Sequence, residues 1–231
     1  MNVSDAIDSR MSCRAFQDTP VSEATVRNIL DIARRAPSGG NVQPWHVYVI
    51  AGEKLREFRA IIAEKMRAGT ENEGLEYDIY PSSMPEPYRS RRFKCGEDMY
   101  ATLSISRDDK AARRRQFIRN YQFFDAPVAL FFAINRRMGP PQWSDLGMFL
   151  QSIMLLAREE GLHTCAQEAW ARWHKTVGEF LSMPEELMLF CGMGLGFRDE
   201  TAPVNRLRTD RAPLEEIVTF QGFEIRSSKE R

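Results

Sequence analysis

The spacing of apolar positions divides the chain into alternating helical and extended segments. Val26, Ile29, Leu30 and Ala33 recur at helical spacing behind Ser22, a good N-cap residue, and Pro37 stops the run. The pattern predicts a helix over about 22–36, with Glu23 favourably placed at the positive end of its dipole. Trp45 to Ile50 reads as a strand, and Leu55, Phe58, Ile61 and Ile62 mark one face of a second helix. From Gly69 to about Arg92 the periodicity dissolves into Tyr77, Tyr80, Pro81, Pro85, Pro87 and Tyr88, closed by the basic cluster Arg89, Arg91 and Arg92. A patternless segment of that length inside a compact domain reads as a lid or binding segment.

A charged helical face resumes over about 108–124, and Pro127 to Ile134 is a strongly apolar strand. The helix predicted over about 144–160 is apolar around most of its circumference, stops at Gly161, and should run through the middle of the fold. A shorter helix covers 174–181, Glu186 to Cys191 forms another strand, and the tail carries a strand-like run from Ile217 to Phe220. There is no internal repeat. The pattern predicts one α+β domain over 1–231, with a lid insertion at 69–124 and a C-terminal extension at 203–231.

Charge and composition narrow the function classes. The 32 basic residues equal the 32 acidic ones, so no overall field attracts nucleic acid or an anionic membrane, and any bound anion must be met by locally placed cations. A helix-turn-helix reading of 21–36 fails because its partner helix would have to cross Pro37 and Pro44. The longest apolar run, Leu146 to Ala157, is interrupted by Gln151 and Ser152 and is too short to span a bilayer. Four cysteines without a CxxC pair point to a reducing, cytoplasmic setting. His46, His163 and His174 lack metal-ligand spacing, and no H-E-x-x-H, G-x-S-x-G or P-loop motif occurs.

Two short motifs carry candidate chemistry. Arg10-Met11-Ser12-Cys13-Arg14 places two guanidinium groups and a hydroxyl within five residues, a set suited to a phosphate. In Pro37-Ser38-Gly39-Gly40-Asn41-Val42-Gln43-Pro44-Trp45, the small residues leave backbone N–H groups accessible, and Asn41 and Gln43 supply amides for the edge of a flat heterocycle. A helix stop accounts for the glycines and prolines but not for Asn41, Gln43 and Trp45 together. Gly192-Met193-Gly194-Leu195-Gly196 lacks the spacing and following helix of a dinucleotide fingerprint and reads as a tight turn.

Taken in order, SRMSCRAF, RRAPSGGNVQPWHVYVI, TCAQEAWARWH and NRLRTDRAPLEEIV resemble the nitroreductase family of FMN-dependent enzymes over nearly the whole chain. The segments YPSSMPEPYRSRR and WSDLGMFLQSIMLLA look most like the bacterial branch that reduces nitroaromatic compounds such as nitrobenzoates. The resemblance implies a nitroreductase-like fold with a mostly antiparallel four-to-five-stranded sheet wrapped by helices, in an entwined homodimer with two FMN sites at the interface. It implies Arg10, Met11, Ser12 and Arg14 at the FMN phosphate and ribityl chain, joined by Arg211 and Arg208 from the tail. Pro37, Ser38, Gly39 and Asn41 match the loop that reaches the flavin from the partner subunit. Ala166, Gln167, Glu168 and Ala169 match the stretch along the isoalloxazine edge, with the backbone N–H of Glu168 at flavin N5.

The implied activity is hydride transfer from NAD(P)H through flavin N5 to nitroaromatic or quinone-like acceptors, a ping-pong cycle that needs no side-chain nucleophile and no metal. Tyr77, Tyr80 and Tyr88 of the lid would wall the acceptor, and Arg89, Arg91 or Arg92 would meet a carboxylate on it, each reading equally well as part of a solvated basic face. Two alternatives stay open: reductive dehalogenation of halophenols, since iodotyrosine deiodinases share PSG-x-x-x-x-PW, and a non-catalytic flavin-binding protein.

Overall fold

A run with no polar residue from Val128 to Ile134 fits a strand covered on both faces. In the computed structural model, which describes residues 1–223, this run is buried throughout and lies inside the sheet. The strands are β1 (Trp45–Ala51), β2 (Val128–Asn135), β3 (His163–Gln167) and β4 (Leu187–Gly196). They pair antiparallel throughout in the order β1-β2-β4-β3, within the predicted range of strand number. Around them pack α1 (Val3–Ser9), α2 (Glu23–Ala33), α3 (Gly52–Arg67), α4 (Tyr88–Thr102), α5 (Lys110–Ile118), α6 (Pro140–Glu159), α7 (His174–Leu181) and α8 (Leu214–Ile217). No helix among the described residues is long and apolar enough to cross a membrane.

The sheet separates two apolar layers. On one face, Phe58 of α3 meets Phe131, Trp170, Trp173 and Phe123. On the other, Ile29 of α2 and Leu146, Phe149 and Ile153 of α6 meet Phe132, Leu130 and Met193. Ser22 caps α2, its side chain accepting from the Thr25 N–H at 3.0 Å. Gly161, at φ +73°, supplies the left-handed turn after α6. That helix is not wholly internal as its composition predicts: Ser144, Gly147, Met148 and Gln151 form an exposed stripe along it.

Four further expectations need correction. Arg89, Arg91 and Arg92 belong to the first turn of α4, so only 69–87 of the segment before them is irregular. The charged helix ends at Ile118 and passes into a 3-10 turn, where Phe123 and Phe124 take positive φ to point both rings into the core. The tail forms the short helix α8, and Val218 to Phe220 makes no strand; the part of the predicted extension at 224–231 lies outside the described residues.

Gly192, Gly194 and Gly196 are not a turn but alternate positions of β4. Successive strand residues face opposite sides, so the three glycines share one face. A Cβ at Gly192 would lie 2.3 Å from Cδ1 of Trp170, and one at Gly196 would lie 2.5 Å from Cδ of Pro127. The bare backbone lets Trp170 and the 119–125 turn settle directly onto the sheet. Gly192→Ala is expected to destabilise the fold by about 1–3 kcal/mol through overpacking. Gly178→Ala in α7, where an added methyl meets nothing within 4 Å, should be neutral or stabilising by up to about 1 kcal/mol; urea denaturation of the two variants checks both.

Candidate functional site

The segment Arg10 to Arg14 works because it is extended. Met11, Cys13 and Ala15 are buried, while Arg10, Ser12 and Arg14 alternate with them on the open side. That is the period-2 arrangement of a strand, and it gathers both arginines and the serine on one face. A parallel bridge joins Ser12 to Thr164, and the Cys13 N–H donates to the Thr164 carbonyl at 2.9 Å. Asn205 then locks the segment to the tail: it accepts from the Arg14 N–H at 2.9 Å and donates to the Ala15 and Asp199 carbonyls at 2.8 and 2.9 Å. Burial pushes the Cys13 thiol up to about 12, which keeps it protonated beside the arginines.

Across from this face the tail returns with Arg208 and Arg211. Together with Arg10, Ser12, Arg14, Cys95 and Gln151 they line a cavity of about 720 Å³. Arg208 bonds the Asp8 carbonyl at 2.8 Å and its carboxylate at 3.4 Å, and Arg211 turns back on Thr209 and the Asp210 carbonyl, so Asp8 is the one carboxylate that lines the cavity among these arginines. Burial, and then Arg211 and Arg208, push the Arg10 pKa down. Crowded cations with so little opposing charge form an anion site, and the guanidinium forks suit the oxygens of a phosphate.

Past Thr164, β3 leads to Ala166, Gln167 and Glu168. At strand rise, Glu168 stands about 13 Å beyond Thr164. Gln167 turns inward, its Nε2 donating to the Asn120 carbonyl at 2.7 Å, so only its backbone remains for a ligand. Glu168 opens a 3-10 helix, and the first N–H groups of a helix have no partner within it. Desolvation raises the pKa of its carboxyl although part of the residue stays open to solvent. Ala169 is half-buried against the aromatic core.

The loop of Pro37, Ser38, Gly39 and Asn41 lies elsewhere. None of its residues lines the cavity. The Gly39 N–H, which composition suggests is free, donates to the buried carboxylate of Asp145 at 3.2 Å. The Gln43 amide folds back on the Asn41 carbonyl at 3.2 Å, and the Gln43 N–H donates to the Ser38 hydroxyl at 3.0 Å. Asn41 and Gln43 take φ of +56° and +51°, an uncommon conformation without glycine. Asp145 and Gln151 are both on α6, so this one helix joins the loop to the cavity over about 9 Å.

The lid is fixed at its root. Glu73 accepts from the Thr176 N–H at 2.9 Å and pairs with Lys65 at 3.2 Å, while buried Glu76 meets Arg136 and, at 3.2 Å, His174. Tyr77 stacks on Phe190 and donates to its carbonyl. The outer end is held by ion pairs of Arg91 with Glu216 at 2.6 Å and Lys94 with Asp210 at 2.7 Å. Tyr80 and Tyr88 are exposed, and the Arg92 guanidinium lies over the Tyr80 ring at 4.0 Å. Asp145, Asn205, Glu73 and Glu76 carry no local sequence signal. The alternation in RMSCR does, since period 2 alone would place its polar residues on one face.

The chain is similar to known proteins over most of its length. The model of the nitroreductase family matches residues 7–196. The chain is 38% identical to the nitrobenzene nitroreductase of Ectopseudomonas oleovorans, covering 94% of this chain and 96% of that protein. It is likewise 38% identical to the 4-nitrobenzoate reductase of Pseudomonas putida, covering 94% and 95%. The crystal structure of the FMN and NADPH-dependent nitroreductase NfnB from sphigopyxis sp. strain HMH superposes with a TM-score of 0.93 at 48% identity, covering 96% of this chain and all of that one.

Two outcomes follow from the geometry. Inorganic phosphate should raise the melting temperature, by the equivalent of about 2.7 kcal/mol at a hundred times its dissociation constant, and Arg211→Ala or Arg10→Ala should reduce the rise; differential scanning fluorimetry reads both. Asp145→Ala removes the bond to the exposed Gly39 N–H, which can turn to water, and should cost about 0.5–1.5 kcal/mol of stability in urea denaturation.

Proposed function

We propose, from the premise that this chain belongs to the nitroreductase family, that it is an FMN-dependent NAD(P)H oxidoreductase reducing nitroaromatic acceptors. The observation that carries the reading is the cavity of about 720 Å³ in which Arg10, Arg14, Arg208 and Arg211 meet with so little opposing carboxylate. The fit to FMN is chemical. A phosphate monoester neutralises those guanidinium groups, and Ser12 adds a neutral donor beside them. The path along β3 from Thr164 to Glu168, about 13 Å, gives room for a ribityl chain leading to a ring beside Ala166 and Glu168.

Held there, FMN would supply hydride transfer between NAD(P)H and a nitro or quinone-like acceptor. The chain's own residues bind and orient. Arg10, Met11, Ser12 and Arg14 hold the phosphate end with Arg208 and Arg211. Gln167, tethered to Asn120, fixes the strand that passes the ring edge. The Glu168 N–H, at the start of its 3-10 helix, would be a donor available to the edge of the flavin ring. Tyr80, Tyr88 and Arg92 cover the acceptor from the lid, where aromatic rings exclude water from the stacked face.

The second subunit belongs to the same reading. The stripe of Ser144, Gly147, Met148 and Gln151 on α6 is exposed in the single chain and runs from the 37–41 loop to the cavity. Packing α6 on its copy about a two-fold axis brings Pro37, Ser38, Gly39 and Asn41 of one chain towards the cavity of the other. The reading takes the protein to be a homodimer with two such sites, in a cytoplasmic setting. In this reading the segment 69–124 serves as a cover and the tail at 203–223 as a strap, joined by the pairs of Arg91 with Glu216 and Lys94 with Asp210.

The test is a flavin spectrum. Purified protein should carry FMN or take it up, its visible band should bleach with NADPH without air, and a nitroarene should restore it. Initial velocities against both substrates should give parallel double-reciprocal lines. Failure to bind added FMN would sink the proposal, and bound flavin that NADPH does not reduce would leave the non-catalytic alternative. The similar proteins include a reductase named for uncharged nitrobenzene and one named for 4-nitrobenzoate, so they do not choose between neutral and anionic acceptors.

A further inference from the structure

The tail returns to the arginine cavity without a backbone ladder to hold it. Residues 207–213 have no regular structure, and among the described residues no backbone–backbone hydrogen bond involves 207–212. Yet this stretch carries Arg208 and Arg211, which line the cavity. Its polar fastenings are side chains. Arg208 bonds Asp8, Lys94 of α4 pairs with Asp210 at 2.7 Å, and just beyond, Arg91 of α4 pairs with Glu216 at 2.6 Å.

Helical spacing gathers the α4 side of these contacts. At about 100° per residue, Arg91, Lys94, Cys95 and Asp98 fall within about 100° of one another. All four line a second cavity of about 250 Å³, whose opposite wall includes Asp210 and Glu216. Cys95, Thr209 and Arg211 line this cavity and the arginine cavity alike, so the seam between α4 and the tail is a wall of the anion site. The Arg211 guanidinium donates to the Thr209 hydroxyl and to the Asp210 carbonyl, both at 2.8 Å. Its orientation is therefore built on Asp210, the residue whose carboxylate Lys94 holds.

We propose that Lys94, supported by Arg91, is a positioning residue of the anion site: by holding Asp210 it seats the tail so that Arg211 faces a bound phosphate. This deepens the proposed function and rests on its reading of the arginine cavity as a phosphate site. Neither Lys94 nor Asp210 lines that cavity, so both act through Arg211. Coupling of this kind is reciprocal, and a phosphate in the cavity also tightens the seat of α4 on the tail.

Charge alone and positioning predict opposite signs at Asp210. Removing a carboxylate beside an anion site makes the local field more positive and would tighten phosphate binding; loosening the seat of Arg211 weakens it. In Asp210→Asn the dissociation constant of FMN for the flavin-free full chain, read by quenching of flavin fluorescence at fixed ionic strength, should rise about two- to five-fold, the range of an exposed ion pair. Riboflavin, which has the ring and the ribityl chain but no phosphate, should bind wild type and variant alike. Lys94→Ala should also weaken FMN binding, adding Asp210→Asn to it should weaken binding no further, and Lys94→Arg, which keeps the pair, should bind as wild type does.

Inorganic phosphate gives a readout without flavin: the rise it produces in melting temperature should be smaller in Asp210→Asn than in wild type. Unchanged or tighter binding of FMN and phosphate in Asp210→Asn overturns the inference. So does an equal loss of riboflavin affinity, since the variant would then have disturbed the chain rather than Arg211. A wild type that binds riboflavin and FMN alike and does not respond to phosphate strikes the reading of the cavity itself, and this inference with it.

Discussion

Like charges held together inside a protein must be held by something, and the rest of this structure depends on how Arg10 is kept near Arg208 and Arg211. Burial and both neighbours work against its charge. The backbone resists this because RMSCR is strapped on two sides, by Thr164 of the sheet and by Asn205 of the tail. The sheet in turn is kept flat enough for close packing by glycines that admit Trp170. An anion that enters the cavity meets donors already in place, with little reorganisation left to do, and that is how a fixed polar site gains over water.

The same architecture divides labour cleanly between groups that bind and a cofactor that reacts. The buried cysteines are held in their protonated form: burial pushes the pKa of Cys13, Cys165 and Cys191 up. They behave as small apolar residues rather than nucleophiles.

Much of this was readable before any coordinates. The helix behind Ser22, the strands at Trp45 and Val128, and the helix from His174 appear as the apolar spacing predicts. β3 was invisible as a pattern, because His163, Thr164 and Gln167 are polar residues buried in a strand. The resemblance marked 166–169 as a stretch along the flavin edge but not as the end of a strand. GMGLG looked like a turn because glycine is read by default as backbone freedom, whereas here it is an absence of side chain against Trp170. The arginines of α4 looked like loop because three prolines precede them. The fastenings were beyond reach for a simpler reason: Gly39 and Asp145 are 106 residues apart, and Glu73 and Thr176 are 103 apart. Nothing local distinguishes those carboxylates from solvated ones.

The lid is fastened by two different kinds of force. Its root is held by buried Glu76, by Glu73 on the start of α7, and by Tyr77 against Phe190, contacts that dissolved ions hardly reach. Its far end is held by exposed pairs such as Lys94 with Asp210, each worth about 0–1 kcal/mol and weakened by salt. The segment between them is therefore held by buried packing at one edge and by exposed charge pairs at the other, and ionic strength weakens only the second set.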